Sequence, residues 1–199
     1  MEMSLNWRAR IRLPAARRAL IGLLAVVALW AGWGPSASVL RARATAMVTP
    51  SGEITRIVIP AIGVHSKVLD VSRVKLDGST EWQVADYAVG RHSDSGLPGE
   101  GTNIVMSGHN NINGEVFRHL NRLRKGDEIT LETRSGWPVT YEVAQTRIVL
   151  QDGATREQRR RNARFMDPTD TERLTLISCW PYKPWPPYRI IVIAEPAQR

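Results

Sequence analysis

The sequence predicts a mainly β domain, an eight-stranded barrel that is closed or nearly closed, with one or two short helices and an N-terminal transmembrane helix. Two observations carry this prediction. Short apolar runs alternate with turn signals from residue 54 to the end of the chain, and an uncharged stretch occupies residues 19–40. The 15 glycines and 12 prolines favour many turns between short strands. The single cysteine excludes an intramolecular disulfide and a four-cysteine zinc site.

The N-terminal segment is predicted to anchor the protein in a membrane. A helix over the 22 residues 19–40 would span about 33 Å, close to the thickness of a bilayer core. Five arginines precede this run and two follow it, so residues 1–18 are predicted to form a basic cytoplasmic tail and residues 44–199 to lie outside. Residues 41–53 are predicted to be a linker. The alternative is a cleaved signal peptide, for which Ala44-Thr45-Ala46 is a poorly placed cleavage motif.

The positive charge of the chain belongs to this anchor. Residues 1–43 carry seven arginines and one acid, whereas residues 44–199 carry 20 basic and 18 acidic side chains. A domain that binds nucleic acid through phosphate contacts would concentrate its charge in the folded part. We therefore expect no nucleic-acid partner.

The remaining domain, residues 54–199, contains eight strand-like runs and two helix-like segments. The predicted strands are Ile54–Ile59, Val64–Val71, Glu81–Val84, Asn103–Ser107, Glu128–Glu132, Val139–Val149, Leu174–Cys179 and Tyr188–Ala194. The predicted helices are Glu115–Leu123, with Val116, Phe117, Leu120 and Leu123 on one face, and the arginine-rich Ala154–Phe165. Strands of this number and length with so few helices favour a barrel.

The lone cysteine is the first candidate for chemistry. Cys179 ends a strand and precedes W-P-Y-K-P-W-P-P-Y, whose four prolines prevent the strand from continuing. A buried cysteine often serves only as a small apolar residue. However, an unpaired thiol in an exported protein at a strand end is a candidate nucleophile.

A reactive thiol needs a base and, for acyl transfer, a donor for the oxyanion. Of the four histidines, His109 follows a strand and Gly108, which is again a strand-end position. His65 is predicted to be a solvent-facing strand residue, His92 a loop residue, and His119 a surface or packing residue of the predicted helix Glu115–Leu123. If the last two strands pair antiparallel, Arg189 returns to the level of Cys179. The alternative for Arg189 is a solvated arginine at a sheet edge.

Three motifs together resemble the sortases, membrane-anchored cysteine transpeptidases of the bacterial surface. Thr175-Leu176-Ile177-Ser178-Cys179 is similar to the family's T-L-x-T-C signature, S-G-H lies seventy positions earlier and an arginine ten positions later. The resemblance covers about residues 54–195. It implies Cys179 as nucleophile, His109 as general acid/base and Arg189 as stabiliser of the oxyanion or substrate, and Ser178, which replaces the usual threonine, as a substrate-binding residue. The sequence fits the class D or E-like groups best.

The resemblance also implies a reaction, partners and a location. A secreted protein with a C-terminal L-P-x-T-G-like sorting signal would be cleaved through a thioester and transferred to an amine, from a peptidoglycan precursor or a pilin lysine. The catalytic domain would lie outside the bacterial cell membrane, anchored by residues 19–40. No cofactor and no required calcium are expected. The alternatives are an L,D-transpeptidase-like or hydrolytic cysteine enzyme, and a non-catalytic barrel that binds the cell wall.

Overall fold

The computed structural model describes residues 52–76 and 79–198. This part of the chain contains ten strands and one short α-helix. The strands are β1 (Ile54–Ile59), β2 (Val64–Val71), β3 (Arg73–Leu76), β4 (Ser79–Trp82), β5 (Val89–His92), β6 (Asn103–Ser107), β7 (Glu128–Thr133), β8 (Pro138–Leu150), β9 (Arg173–Trp180) and β10 (Tyr188–Pro196). The helix is α1 (Arg156–Ala163), and single 3₁₀ turns lie at Pro60–Ile62, Leu120–Arg122 and Arg164–Met166.

Eight of these strands close into a barrel in the order β1-β2-β5-β6-β9-β10-β8-β7, and β3 and β4 form a separate hairpin. Alternate residues of each barrel strand point into one shared core, as the period of two in a strand requires. Its largest fully buried members include Tyr141, Phe117, Ile57, Ile129 and Leu176. The predicted barrel of eight strands is therefore confirmed.

The membership of the barrel differs from the prediction at one strand. Glu81–Val84 was expected as a barrel strand, but the chain there belongs to the β3–β4 hairpin, and the eighth barrel strand is Val89–His92. All four residues of β5 are buried. This strand was not predicted because it contains Arg91, and an arginine is rarely buried without a partner. Asp70 on β2 is that partner, accepting two hydrogen bonds of 2.7 Å from the guanidinium.

The predicted helix over residues 115–123 is wrong. Its apolar residues are buried as expected, but the chain reaches that arrangement through successive turns and one 3₁₀ turn at Leu120–Arg122. Asn113, Gly114 and Glu115 all have positive φ, which takes the backbone out of the right-handed helical region where a helix would have to begin. The other predicted helix forms as α1, which Thr155 caps in a reciprocal capping box with Gln158.

The predicted transmembrane segment, residues 19–40, lies outside the described residues, as do the basic tail and most of the linker. Within residues 52–76 and 79–198, no helix has the length and apolar character needed to cross a bilayer.

His92 is a buried member of β5, not the loop residue that its turn-rich neighbourhood suggested. Its ring stacks on Trp82 with centroids 4.0 Å apart, and its Nε2 lies 3.2 Å from Ser107 Oγ. Burial disfavours the charged imidazolium and lowers the pKa of His92 from 6.5 to about 4. The folded protein therefore keeps this histidine neutral at pH values where the unfolded chain protonates it.

This difference predicts a loss of stability in acid. As the pH falls from 6.5 towards 4, the unfolded chain binds a proton that the folded protein excludes, so the free energy of unfolding decreases. We expect His92 to account for about 2 kcal/mol of the loss between pH 7 and pH 4.5. Urea unfolding of the wild type and of His92→Gln at both pH values measures it. The exposed His65→Gln variant is the matched control. An equal pH dependence in wild type and His92→Gln would contradict the assignment.

Candidate active site

Cys179 and Arg189 face each other across two neighbouring strands. In the antiparallel pair of β9 and β10, these two residues are direct partners in register. Leu176 and Ser178 on β9 and Ile190 on β10 are buried towards the interior, so by alternation Cys179 and Arg189 lie on the outer face of the barrel. Cys179 is partly exposed and forms no disulfide. The prediction that antiparallel pairing of the last two strands returns Arg189 to the level of Cys179 is confirmed.

His109 reaches the same level from the other side of β9. Strand β6 runs parallel to β9, with Ser107 beside Ile177, and the backbone N–H of Gly108 donates to the Ile177 carbonyl at 3.2 Å. His109 and Cys179 each lie two residues beyond this pair, on strands that run about 4.8 Å apart. The topology thus gathers Cys179, His109 and Arg189 at one end of β6, β9 and β10.

Gly108 allows the chain to turn closely over the core before His109. A Cβ atom at this position would come within 2.7 Å of Val116 and 2.8 Å of Phe117. The loop is also closed by the Phe117 N–H, which donates to the His109 carbonyl at 2.9 Å. These contacts fix the backbone of His109. The His109 side chain is only 16% exposed.

Ser178 contributes to this arrangement through the backbone. Its side chain is 3% exposed, and its hydroxyl donates to the Gly108 carbonyl at 2.7 Å. The hydrogen bond joins the strand of the cysteine to the turn before the histidine. A threonine in this position would offer the same hydroxyl. Contact between Ser178 and substrate stays a prediction.

The guanidinium of Arg189 has donors available for a substrate. Its Nη1 lies 3.2 Å from the Tyr188 carbonyl and 3.5 Å from that of Pro186, and among the described residues it forms no ion pair with a carboxylate. Since five N–H groups radiate from a guanidinium, these contacts leave most of its donors unused.

The aromatic loop between β9 and β10 is tied to the loop that follows His109. Asn111 donates to the Lys183 carbonyl at 2.6 Å, and Tyr182 donates to a carboxylate oxygen of Glu115 at 2.9 Å. The guanidinium of Arg118 lies 4.2 Å from the centre of the Tyr182 ring. Trp185 at the tip of this loop is 91% exposed. The loop that carries the aromatic side chains therefore forms one wall beside the site.

A carboxylate that the sequence did not single out lies next to the histidine. Asp86 Oδ1 is 3.4 Å from His109 Nε2 and accepts a hydrogen bond of 2.7 Å from Asn113. Base and nucleophile pairs commonly have such a third group, so an acid near His109 could be expected in general. Nothing in the spacing distinguishes Asp86 from the other 17 acids of residues 44–199.

The other three histidines are not gathered at this strand end. His65 is exposed on β2, His92 is buried on β5 and His119 lies in the turn before Leu120. Within residues 52–76 and 79–198, no three His, Cys, Asp or Glu side chains form a group that could hold a metal ion. That the protein needs no calcium stays a prediction.

The sortase domain model matches residues 57–197, which is most of the chain. The chain belongs to the sortase family. Sortase D of Bacillus subtilis is 29% identical over 127 residues, which cover 62% of this chain and 58% of that protein. Sortase SrtE1 of Streptomyces coelicolor is 34% identical over 86 residues, or 40% of this chain and 24% of that one. The alignments thus span less than two thirds of either relative.

Solved structures of sortases share the fold. A sortase D5 transpeptidase from Clostridium perfringens superimposes with a TM-score of 0.55 and 26% identity, covering 73% of this chain and 79% of that one. A lid mutant of sortase A from Corynebacterium diphtheriae gives a TM-score of 0.57 with 24% identity, covering 75% and 72% of the two chains. The second likeness concerns the fold alone.

Proposed function

We propose that the protein is a cysteine transpeptidase that cleaves a C-terminal L-P-x-T-G-like sorting signal and transfers the product to an amine. The observation that carries this proposal is the placement of Cys179, His109 and Arg189 at the same end of three neighbouring strands of a sortase barrel. A thiol, an imidazole and a guanidinium together provide a nucleophile, a proton carrier and an oxyanion donor.

In the first half of the reaction, the thiolate of Cys179 attacks the threonine carbonyl of the sorting signal. The carbonyl oxygen becomes an oxyanion, and Arg189, the direct cross-strand partner of the cysteine, donates to it. When the intermediate collapses, the bond from carbon to nitrogen breaks and His109 protonates the leaving glycine amine. The product is a thioester between Cys179 and threonine.

In the second half, an amine replaces the thiol. The acceptor loses its proton to His109, its nitrogen attacks the thioester carbonyl, and the thiolate leaves. A peptidoglycan precursor or a pilin lysine supplies an amine of this kind. Water would give hydrolysis instead. The Bacillus subtilis relative is named sortase D and the Clostridium perfringens structure is that of a sortase D5 transpeptidase, which supports a class D-like enzyme.

In this proposal the sorting signal binds on the outer face of the barrel. The connection between β8 and β9 packs on it, since Asn103 on β6 donates to the carbonyls of Phe165 and Asp167. A cavity of about 370 Å³ lies over Val105, between this connection and the β3–β4 hairpin. Val105 pairs with Thr175, four residues before Cys179, about 13 Å along the strand. An extended peptide with its scissile bond at Cys179 would place the first residue of its motif there.

We also propose that residues 19–40 anchor the protein in the bacterial cell membrane as a single span, with the catalytic domain outside and the N-terminus in the cytoplasm. The support is the uncharged run itself and the five arginines before it. A protease added to intact cells tests this topology: it should remove the catalytic domain. Protection of that domain until the cells are lysed would overturn it.

The transfer reaction tests the proposed function. The full-length protein is incubated with a peptide that contains Leu-Pro-Glu-Thr-Gly, with and without triglycine, and the products are identified by mass. We expect cleavage between threonine and glycine, and a ligated peptide only when triglycine is present. Cleavage with water as the sole acceptor, for all amines tried, would support a hydrolytic enzyme. An absence of cleavage for this and related motifs would support the non-catalytic alternative.

A further inference from the structure

We propose that Asp86 is a positioning residue for His109, a role that rests on the proposed function. Its carboxylate lies against Nε2 of the imidazole at 3.4 Å, in a site where the histidine side chain is only 16% exposed. Contact at Nε2 leaves Nδ1 as the nitrogen that exchanges protons with Cys179 and the reacting amines. Among the described residues, neither ring nitrogen forms a hydrogen bond, and the carboxylate that pairs with the ring is that of Asp86.

Asp86 is itself held in place by the loop that follows His109. The side chain of Asn113 donates to Asp86 Oδ1 at 2.7 Å, and the backbone N–H of Tyr87 donates to the Asn113 carbonyl at 2.8 Å. The two loops are in close contact, since a Cβ atom at Gly114 would come within 2.9 Å of the Tyr87 Cα. Asp86, Asn113 and His109 thus form one connected unit.

The exposure of Asp86 indicates that its main effect is to orient the His109 ring. The Asp86 side chain is 62% exposed, so water screens much of its charge. A neutral imidazole carries its proton on one nitrogen only, and the group that accepts from that nitrogen selects the tautomer. An acceptor at Nε2 selects the tautomer in which Nδ1 has a free lone pair.

This tautomer fits both halves of the proposed reaction. Nδ1 takes the proton of the Cys179 thiol, which leaves a thiolate and an imidazolium. The thiolate attacks the carbonyl carbon, the bond to the leaving nitrogen breaks, and the proton on Nδ1 goes to that nitrogen. The acceptor amine later returns a proton to Nδ1 as the bond from carbon to sulfur breaks. Asp86 exchanges no proton in either half of this reaction.

Steady-state kinetics of full-length variants with the sorting-signal peptide and triglycine test this role. For Asp86→Ala we expect kcat to fall at least about tenfold, less than the roughly 10⁴-fold effect of a buried triad carboxylate, because Asp86 is exposed. We expect KM and Tm to stay within about twofold and 2 °C of wild type, since an exposed side chain contributes little to either. Asp86→Glu should recover most of the lost kcat.

A double-mutant cycle separates positioning from a structural role. Because Asp86 acts through His109, Asp86→Ala should have no further effect on the residual rate in a His109→Ala background. Glu53→Gln is the matched control, since Glu53 is similarly exposed and paired with Arg134 at 2.8 Å; it should keep the wild-type kcat.

The outcomes distinguish this inference from the proposed function. If His109→Ala retains wild-type transfer, the proposed function itself fails. If His109→Ala lowers the transfer rate but Asp86→Ala keeps the wild-type kcat, only the role of Asp86 is overturned. The role of Asp86 is also overturned if Asp86→Ala lowers Tm and raises KM with kcat unchanged. It is overturned too if Asp86→Ala lowers the rate by the same factor in the His109→Ala background.

Discussion

Replacing Cys179 with alanine is expected to abolish acyl transfer while the barrel stays folded. The thiol is the proposed nucleophile, and without it neither the thioester nor the second half of the reaction can form. The side chain is partly exposed on the outer face, so its truncation removes few core contacts and Tm should change by no more than about 3 °C. Product formation from the sorting-signal peptide and a thermal melt measure the two effects.

Cys179→Ser is the matched variant for this experiment. It keeps an atom of similar size in the same place, but a hydroxyl ionises far less readily than a thiol. We expect it to be as inactive as the alanine variant. Transfer that persists in Cys179→Ala would show that another group is the nucleophile.

Arg189→Lys is expected to lower the rate of acyl-enzyme formation at least about tenfold, and Arg189→Ala on the order of a hundredfold or more. Arg189 lies directly opposite Cys179, and the hydrogen bonds of its guanidinium go only to backbone carbonyls among the described residues. A planar array of donors can hold an oxyanion in a way that an ammonium group cannot copy. Thermal stability should change little in either variant, because the side chain lies on the outer face.

Arg147→Lys on β8 is the matched control for Arg189. Arg147 is an exposed arginine opposite Ile191, two residues further along β10, and it should tolerate the change without loss of rate. A near wild-type rate for Arg189→Lys would return Arg189 to the role of a solvated arginine at a sheet edge and leave Cys179 and His109 as the proposed pair.

The strands whose apolar residues alternate or run together were predictable from sequence. The bounds of Ile54–Ile59, Val64–Val71 and Asn103–Ser107 are the same in the prediction and in the structure. Strand β5 was not predicted, because Gly90 and Arg91 do not follow a strand pattern. Each of these residues is explained by a contact with a neighbouring strand. A Cβ at Gly90 would come within 2.8 Å of Val71, and Arg91 is neutralised by Asp70 on the neighbouring strand.

The segment after His109 was misassigned because periodicity reports burial, not backbone conformation. Phe117, Leu120 and Leu123 are buried as a helix would bury them. The positive φ of Asn113, Gly114 and Glu115 depends on contacts with Tyr87 and with the aromatic loop, which lie elsewhere in the chain. No local pattern encodes those contacts.

The candidate site also contains residues that could be predicted from sequence and one that could not. Cys179, His109 and Arg189 follow or begin strands, so their convergence could be predicted once the strands were assigned to neighbouring positions. Asp86 belongs to a loop whose position is set by Asn113 and Gly114, and its proximity to His109 emerges only in the folded structure.

The most direct test of the proposed chemistry is the intact mass of the full-length protein after incubation with the sorting-signal peptide in the absence of any amine acceptor. A thioester at Cys179 predicts a mass increase equal to the mass of the peptide up to its threonine less one water, because the thiol hydrogen leaves with the released glycine fragment. That increase should map to Cys179, be released by hydroxylamine and be absent from Cys179→Ala. Cleavage of the peptide between threonine and glycine with no such adduct, or with an adduct on another residue, would contradict the account.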